Sequence, residues 1–151
     1  MATKGDNMFI NQLSVFIENK TGKLVDAIEL LADANIDICA LSIADTEDYG
    51  ILRLIVDDVN KAKSVLEENN WLVKITPVIG VSVRNNPGCF AKVVRILADN
   101  DINLEYTYAF IANEKHHHHA YVVLRVEDNE KASQILKDNG VKLISEDFFR
   151  E

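Results

Sequence analysis

The chain has 151 residues, 48% of them hydrophobic, and a formal net charge of −8. This length and apolar content are enough for one compact domain or two small ones. The apolar runs are too short for a membrane helix, and no dense positive patch suits nucleic acid, so neither partner is expected. The start "MATKGDNMF" has no apolar signal core, and the two cysteines, Cys39 and Cys89, lack metal-ligand spacing. These features favour a cytoplasmic protein without a disulfide scaffold.

The first half of the chain predicts six elements in order. Alternating residues in "QLSVFIEN" predict a half-buried strand, and apolar residues then recur at helical spacing, at Leu24, Ala27, Ile28 and Leu31. Two strand-like runs follow, "IDICALSIA" and "GILRLIV", joined by a polar hairpin tip. A shorter helix with Ala62, Val65 and Leu66 and a last strand, "WLVKIT", complete the set.

The second half of the chain repeats the first. At an offset of 66, seven identities align, from Val15 with Val81 to Ile36 with Ile102. The offset then becomes 70, so the second copy has four extra residues between Ile102 and Val126. Each copy has the order βαββαβ, in which two helices cover one face of a four-stranded antiparallel sheet. We predict an α+β chain of two ferredoxin-like modules, residues 9–76 and 77–148.

Two equivalent glycine turns, "ENKTGKL" and "RNNPGCF", join the first strand to the first helix in each copy. Glycine lets a ligand approach the backbone, and the free N–H groups at a helix start suit a carboxylate. Thr21 is a candidate cap for the first helix, and Pro87 suits a helix's first turn. For either turn taken alone, the alternative is an ordinary strand-to-helix connection.

These residues carry a resemblance to a known family. Asn-x-Pro-Gly-x-Phe, a helix, "DINL" and a hairpin resemble the ACT domain, a regulatory module of amino-acid metabolism. The modules are similar to the regulatory domain of phosphoglycerate dehydrogenase. The resemblance implies two modules side by side with their second strands adjacent, an eight-stranded antiparallel sheet with helices on one face, and amino acids bound where the modules meet.

The resemblance further implies which residues would bind an amino acid. The family's turn Asn corresponds to Asn19 and Asn85, and its strand Asn to Asn103, but Asp37 stands at the other strand position. The family's histidine before the turn is replaced by Ile17 and Val83, so the amino acid that the family binds cannot be assigned to this chain. The first expected pocket joins the turn of module one to the second strand of module two, with Asn19, Thr21, Gly22, Lys23, Leu24, Asn103 and Glu105. The second joins the turn of module two to the second strand of module one, with Asn85, Asn86, Pro87, Gly88, Cys89, Phe90, Asp37 and Cys39. We favour the second, because Asp37 supplies an acceptor for the ammonium group opposite the backbone amides of the turn.

The leading prediction is therefore a regulatory binding module that senses a free amino acid and changes module orientation or oligomeric state. We expect a homodimer, a metabolic enzyme or regulator as a further partner, no cofactor, and no catalysis, since no catalytic set is visible. One alternative is a small enzyme on the same scaffold. The other is a metal-responsive module that uses the run His116 to His119, with His116 and His118, or His117 and His119, as ligand pairs and Glu114 as a third ligand. An exposed loop is the more ordinary interpretation of that run. The strand order places it near the Gly88 turn.

Overall fold

The computed structural model describes residues 8–45, 48–111 and 118–150, which form two compact units. The first unit is Asn11–Thr76, and the second combines the chain before Asn11 with Pro77 onward. No helix in these described ranges is both long enough and apolar enough to cross a membrane.

The first unit is a βαββ unit closed by a second helix and the start of a fourth strand. Its elements are β1 (Ile10–Glu18), α1 (Lys23–Asp33), β2 (Ile38–Asp45), β3 (Tyr49–Val56), α2 (Val59–Glu68) and β4 (Val73–Arg84). The strand order is β4-β1-β3-β2, and β3 runs antiparallel to both β1 and β2. Because alternate strand residues point to the same face, Leu13, Val15, Leu52 and Leu54 meet the helix residues Ala27, Leu31, Ala62 and Leu66 in one buried core.

The second unit repeats this architecture. It uses the C-terminal part of β4, then α3 (Cys89–Asp99), β5 (Leu104–Ala109), β6 (His119–Val126), α4 (Asn129–Asp138), β7 (Lys142–Ile144) and a 3₁₀ helix (Glu146–Arg150). The strand order is β7-β4-β6-β5, with antiparallel pairing of β4 to β6, β4 to β7 and β5 to β6. The equivalent core residues are Ile79, Val81, Val93, Leu97, Val122, Leu124, Ala132 and Leu136. The α+β class and the two ferredoxin-like modules are therefore confirmed.

The number of strands differs from the prediction. The described chain has seven strands rather than eight, because β4 is the last strand of the first unit and the first strand of the second. In both units the second strand, β2 or β5, lies at an edge and has one ladder partner among the described residues. The expectation that the second strands β2 and β5 are adjacent was therefore wrong for this chain, since each is an edge strand whose described ladder partner is β3 or β6.

Strand β1 is more buried than its alternation predicts. Gln12 is 0% exposed and Ser14 is 8% exposed, although both lie on the face opposite the helices. The Gln12 side-chain amide donates a 3.1 Å hydrogen bond to the Ser14 hydroxyl, which satisfies polar atoms that burial would otherwise leave unpaired. The expected half-buried strand is thus buried on both faces along this stretch.

Candidate functional site

The two glycine turns have the same backbone geometry. Gly22 (φ 92°) and Gly88 (φ 89°) are the N-cap residues of α1 and α3, and both are left-handed, the conformation that glycine adopts without strain. A Cβ at either position would meet no atom within 4 Å, so the glycine is required by backbone conformation rather than by crowding. Open space in front of the helix start is what the approach of a carboxylate requires.

Two details of the turns correct the sequence predictions. Thr21 does not cap α1, because Gly22 is the N-cap and no side chain accepts a hydrogen bond there. Pro87 does not lie in the first turn of a helix, since α3 begins two residues later at Cys89. In both turns a left-handed glycine, instead of a polar side chain or a proline, directs the chain into the helix.

Asp37 lies just before β2 and is fixed through its backbone. Its N–H donates a 3.1 Å hydrogen bond to Oδ1 of Asp57, and its carbonyl accepts a 3.2 Å bond from the Asp57 N–H. These bonds use only backbone atoms of Asp37, and its side chain is exposed. A carboxylate held in this way is suited to accept from an ammonium group.

Cys39 and Glu105 are equivalent residues at the starts of β2 and β5, and in both strands the register shifts at this point. Burial, with a smaller effect from the nearby Asp37 and Asp57 carboxylates, raises the pKa of the half-buried Cys39 thiol to about 11. The Glu105 carboxylate instead forms a 3.3 Å ion pair with Arg125. The two strand starts therefore differ in chemistry: one carries a neutral thiol and the other an ion pair.

Within one unit, the turn and the start of the second strand lie at opposite ends of the sheet. In the first unit Glu18, next to the turn, pairs with Tyr49, whereas Ile38, at the other end, pairs with Val56. In the second unit Arg84 pairs with His119, and Leu104 pairs with Val126. A turn and a second strand of the same unit therefore do not form one site.

Asn103 and Glu105 line a cavity of about 730 Å³ in the second unit. The cavity also includes the start of α4, where Asp128 is the N-cap and its Oδ1 accepts a 3.1 Å hydrogen bond from the Lys131 N–H. Its remaining lining residues are Phe9, Pro77, Asp101, Ile102, Glu127, Asn129 and Glu130. The sequence predicted Asn103 and Glu105 but missed this contribution of α4. The available signal was the Asp-x-x-Lys start of that helix, from Asp128 to Lys131.

Asn85 and Asn86 line a separate hollow of about 360 Å³ in the second unit, together with Arg84, His118 and His119. The Asn85 N–H donates a 3.0 Å hydrogen bond to the His118 carbonyl, so the predicted placement of this hairpin near the Gly88 turn is confirmed. Arg84 can only donate hydrogen bonds, and the Asn and His side chains of the hollow can donate as well as accept, so the hollow offers several donors to an anion. Arg84 was missed by the sequence analysis, although it directly precedes the predicted Asn85.

The remaining predicted residues do not join these hollows. Lys23 lines a groove of about 620 Å³ in the first unit, while Asn19, Thr21 and Leu24 are exposed around its turn. Cys89 and Phe90 are half-buried at the start of α3. His116, His117 and Glu114 lie outside the described residues. In the part of the chain that the structure describes, no three His, Cys, Asp or Glu side chains group as metal ligands.

Comparison with known proteins gives relatives of the whole chain. Protein BT0572 from Bacteroides thetaiotaomicron is 40% identical to this chain. The match covers 95% of this chain and 96% of that chain, with a TM-score of 0.87. The regulatory subunit of aspartate kinase from Thermus thermophilus, in its ligand-free form, is 18% identical over 87% of this chain and 93% of that chain, with a TM-score of 0.63. The corresponding subunit from Thermus flavus is 16% identical over 85% and 92%, with a TM-score of 0.56.

The two kinase subunits share the fold of this chain. No curated protein sequence matches the chain. The family model described as an ACT domain pair matches residues 8–151, which is nearly the full length. The chain therefore belongs to the family of ACT domain pairs.

Proposed function

We propose that this ACT domain pair binds a free amino acid and transmits occupancy by a change in module orientation or oligomeric state. The observation that carries the proposal is the family match over residues 8–151. The geometry of the two glycine turns supports it, because each leaves open space at a helix start and no side chain caps the first turn. The first helical N–H groups, of Lys23 and Cys89, are already bonded to the carbonyls of Lys20 and Asn86, so a ligand would use the N–H groups that follow them. The modules, residues 9–76 and 77–148, act in the cytoplasm on a metabolic enzyme or regulator.

Two kinds of group recognise the amino acid in this proposal. The turn at Gly88, with Asn85 and Asn86, binds the carboxylate, and the exposed carboxylate of Asp37 binds the ammonium group. A turn and the start of the second strand of one unit lie at opposite ends of its sheet, so the turn and the strand start of the same module do not bind one amino acid together. The second set of binding residues in this proposal consists of the Gly22 turn, Asn103 and Glu105. The cavity beside those two residues supports it, because its size is within the range of small-molecule sites.

The test is a thermal-shift screen of the purified chain against the twenty amino acids, followed by calorimetry on any that stabilise it. A true effector raises Tm with concentration, since it binds the folded state alone.

Asp37→Ala removes a charge-assisted contact, and we expect Kd to rise about tenfold or more. Asp45→Ala, at the far end of β2 from Asp37, is the matched control and leaves Kd unchanged. The proposal fails if no amino acid stabilises the chain. Equal affinity of the Asp37→Ala variant would remove Asp37 from the site.

A further inference from the structure

The hollow of about 360 Å³ in the second unit is bordered by hydrogen-bond donors. Among the described residues that line it, Arg84, Asn85, Asn86, His118 and His119, none carries a carboxylate. Arg84 and His119 are directly opposite each other on β4 and β6, so their side chains lie on the same face of the sheet. The hollow therefore places a guanidinium beside an imidazole at the end of the sheet, where Asn85 and Asn86 lead into the Gly88 turn.

The charge of Arg84 is unpaired in the part of the chain that the structure describes. No ion pair with a described residue engages its guanidinium, although the chain carries a net charge of −8. At an offset of 66, the equivalent residue of the first unit is Glu18, and its Oε2 lies 2.9 Å from Nζ of Lys20. The first unit thus neutralises this position with its own ion pair, whereas the second unit leaves a cation that an outside anion can bind.

The start of α3, which follows the hollow in sequence, is also suited to an anion. Its first turn contains no acidic residue, whereas the first turn of α1 contains Asp26. The N–H groups of Phe90 and Ala91 donate no hydrogen bond to any described residue. Because the positive end of a helix attracts negative charge, these N–H groups and the guanidinium of Arg84 offer two separate positions for acidic groups.

We infer that the molecule bound at the hollow and the Gly88 turn carries two acidic groups, one for each position. The inference rests on the proposed function, under which this molecule is an amino acid with an acidic side chain, such as aspartate or glutamate. The turn binds the α-carboxylate, and the side-chain carboxylate accepts hydrogen bonds from the planar guanidinium of Arg84 and from His119. A volume of about 360 Å³ is at the small end of the range for ligand sites, which suits an amino acid.

The test is calorimetry of the intact chain with each acidic amino acid and with its own amide. We expect aspartate to bind about tenfold more tightly than asparagine, or glutamate than glutamine, because the amide cannot form the charge-assisted pair with Arg84. In Arg84→Gln this preference falls below about threefold, since the acid loses its cation and the amide loses only a neutral contact. Arg84→Lys keeps the charge without the planar fork and retains part of the preference. Arg95→Gln is the matched control and retains all of it, because Arg95 is 75% exposed on α3 and does not line the hollow.

Two results would overturn the inference. The first is equal affinity of the wild type for each acid and its amide, in which case amino-acid binding stands but the hollow does not recognise an acidic side chain. The second is an Arg84→Gln chain that keeps the full preference while circular dichroism shows that it is folded.

Succinate and glutarate, which have two carboxylates and no amino group, separate the inference from the proposed function. If they bind as tightly as the acidic amino acids and Arg84→Gln weakens them equally, the site for two acidic groups is supported and the amino-acid function is contradicted. Binding of neither the diacids nor the acidic amino acids would overturn the inference. The response to the other amino acids then decides the proposed function separately.

Discussion

Asp37 and Asp57 hold each other through a reciprocal pair of hydrogen bonds, with the Asp37 N–H bound to the Asp57 carboxylate at 3.1 Å and the Asp57 N–H bound to the Asp37 carbonyl at 3.2 Å. This pair fixes the entry to β2 against the exit of β3. It determines where the exposed Asp37 carboxylate, the proposed ammonium acceptor, stands.

Asp57→Ala removes the side-chain half of this pair. We expect the free energy of unfolding to fall by about 1 kcal/mol, the typical net value of a protein hydrogen bond, because solvent exposure reduces the extra contribution of the charge. Asp57→Asn keeps an acceptor oxygen and should lose less than half of that. Urea denaturation followed by circular dichroism measures both, and equal losses in the two variants would show that the hydrogen bond contributes nothing.

The Cys39 thiol stays protonated through neutral pH, because burial, and secondarily the Asp37 and Asp57 carboxylates, raises its pKa to about 11. Only the thiolate reacts with iodoacetamide, so the rate of alkylation should keep rising about tenfold per pH unit up to pH 10. Mass spectrometry of a Cys89→Ser chain isolates this thiol. A rate that levels off near pH 8.5 would contradict the raised pKa.

Removing a neighbouring negative charge should lower that pKa. Asp37→Asn therefore speeds alkylation of Cys39 at pH 9, since neutralising a nearby carboxylate favours the thiolate. Asp45→Asn, at the other end of β2, leaves the rate unchanged. A slower reaction in Asp37→Asn would mean that the carboxylate acts on the thiol by some route other than charge repulsion.

Helices α2 and α4 start with the same cap. Asp58 and Asp128 each accept a 3.1 Å hydrogen bond from the backbone N–H three residues later, of Lys61 and Lys131. Asp58→Ala and Asp128→Ala should each cost about 1 kcal/mol of stability, while Asp58→Asn and Asp128→Asn retain most of it. Chemical denaturation tests this, and a loss in only one of the two helices would show that the caps are not equivalent.

Gly88→Ala should destabilise the chain by about 1 kcal/mol, because an L-residue pays that cost in the left-handed region. No atom lies within 4 Å of the added Cβ, so crowding adds nothing. Gly88→Asn, which tolerates a positive φ better, is the control and loses less. A loss well above 2 kcal/mol by thermal denaturation would reveal a contact in addition to the backbone cost.

Much of the fold could be predicted from the sequence. The spacing of Leu24, Ala27 and Leu31 predicts α1, and alternation in β3 and β6 predicts strands, because both patterns reflect how each element faces its core. The match of Gly22 to Gly88 also holds in structure, since both adopt a positive φ that few other residues allow. The helix spacing, the strand alternation and the positive φ of each glycine depend on neighbouring residues, so they can be predicted from short stretches of sequence.

The strand at Pro77 could not be predicted in the same way. The sequence analysis ended "WLVKIT" at residue 76 as the last strand of the first module and began the second module at residue 77. Proline lacks a backbone N–H, so a strand that continues through Pro77 is not what local sequence favours. In the structure β4 continues from Val73 to Arg84, and the Pro77 carbonyl accepts hydrogen bonds from Arg125 and Asn129. Those donors lie about fifty residues further along the chain, and only folding brings them to this point.

The sequence by itself determined that this protein contains two βαββαβ modules with equivalent glycine turns, because repetition and periodicity survive in the order of residues. Tertiary structure alone decided that the modules share a strand, that Asn103 and Glu105 open onto the start of α4, and that Asn85 and Asn86 meet Arg84 and the histidine hairpin. Such groupings depend on which distant residues strand pairing and helix packing bring together. No local pattern of residues shows which of these distant residues will meet.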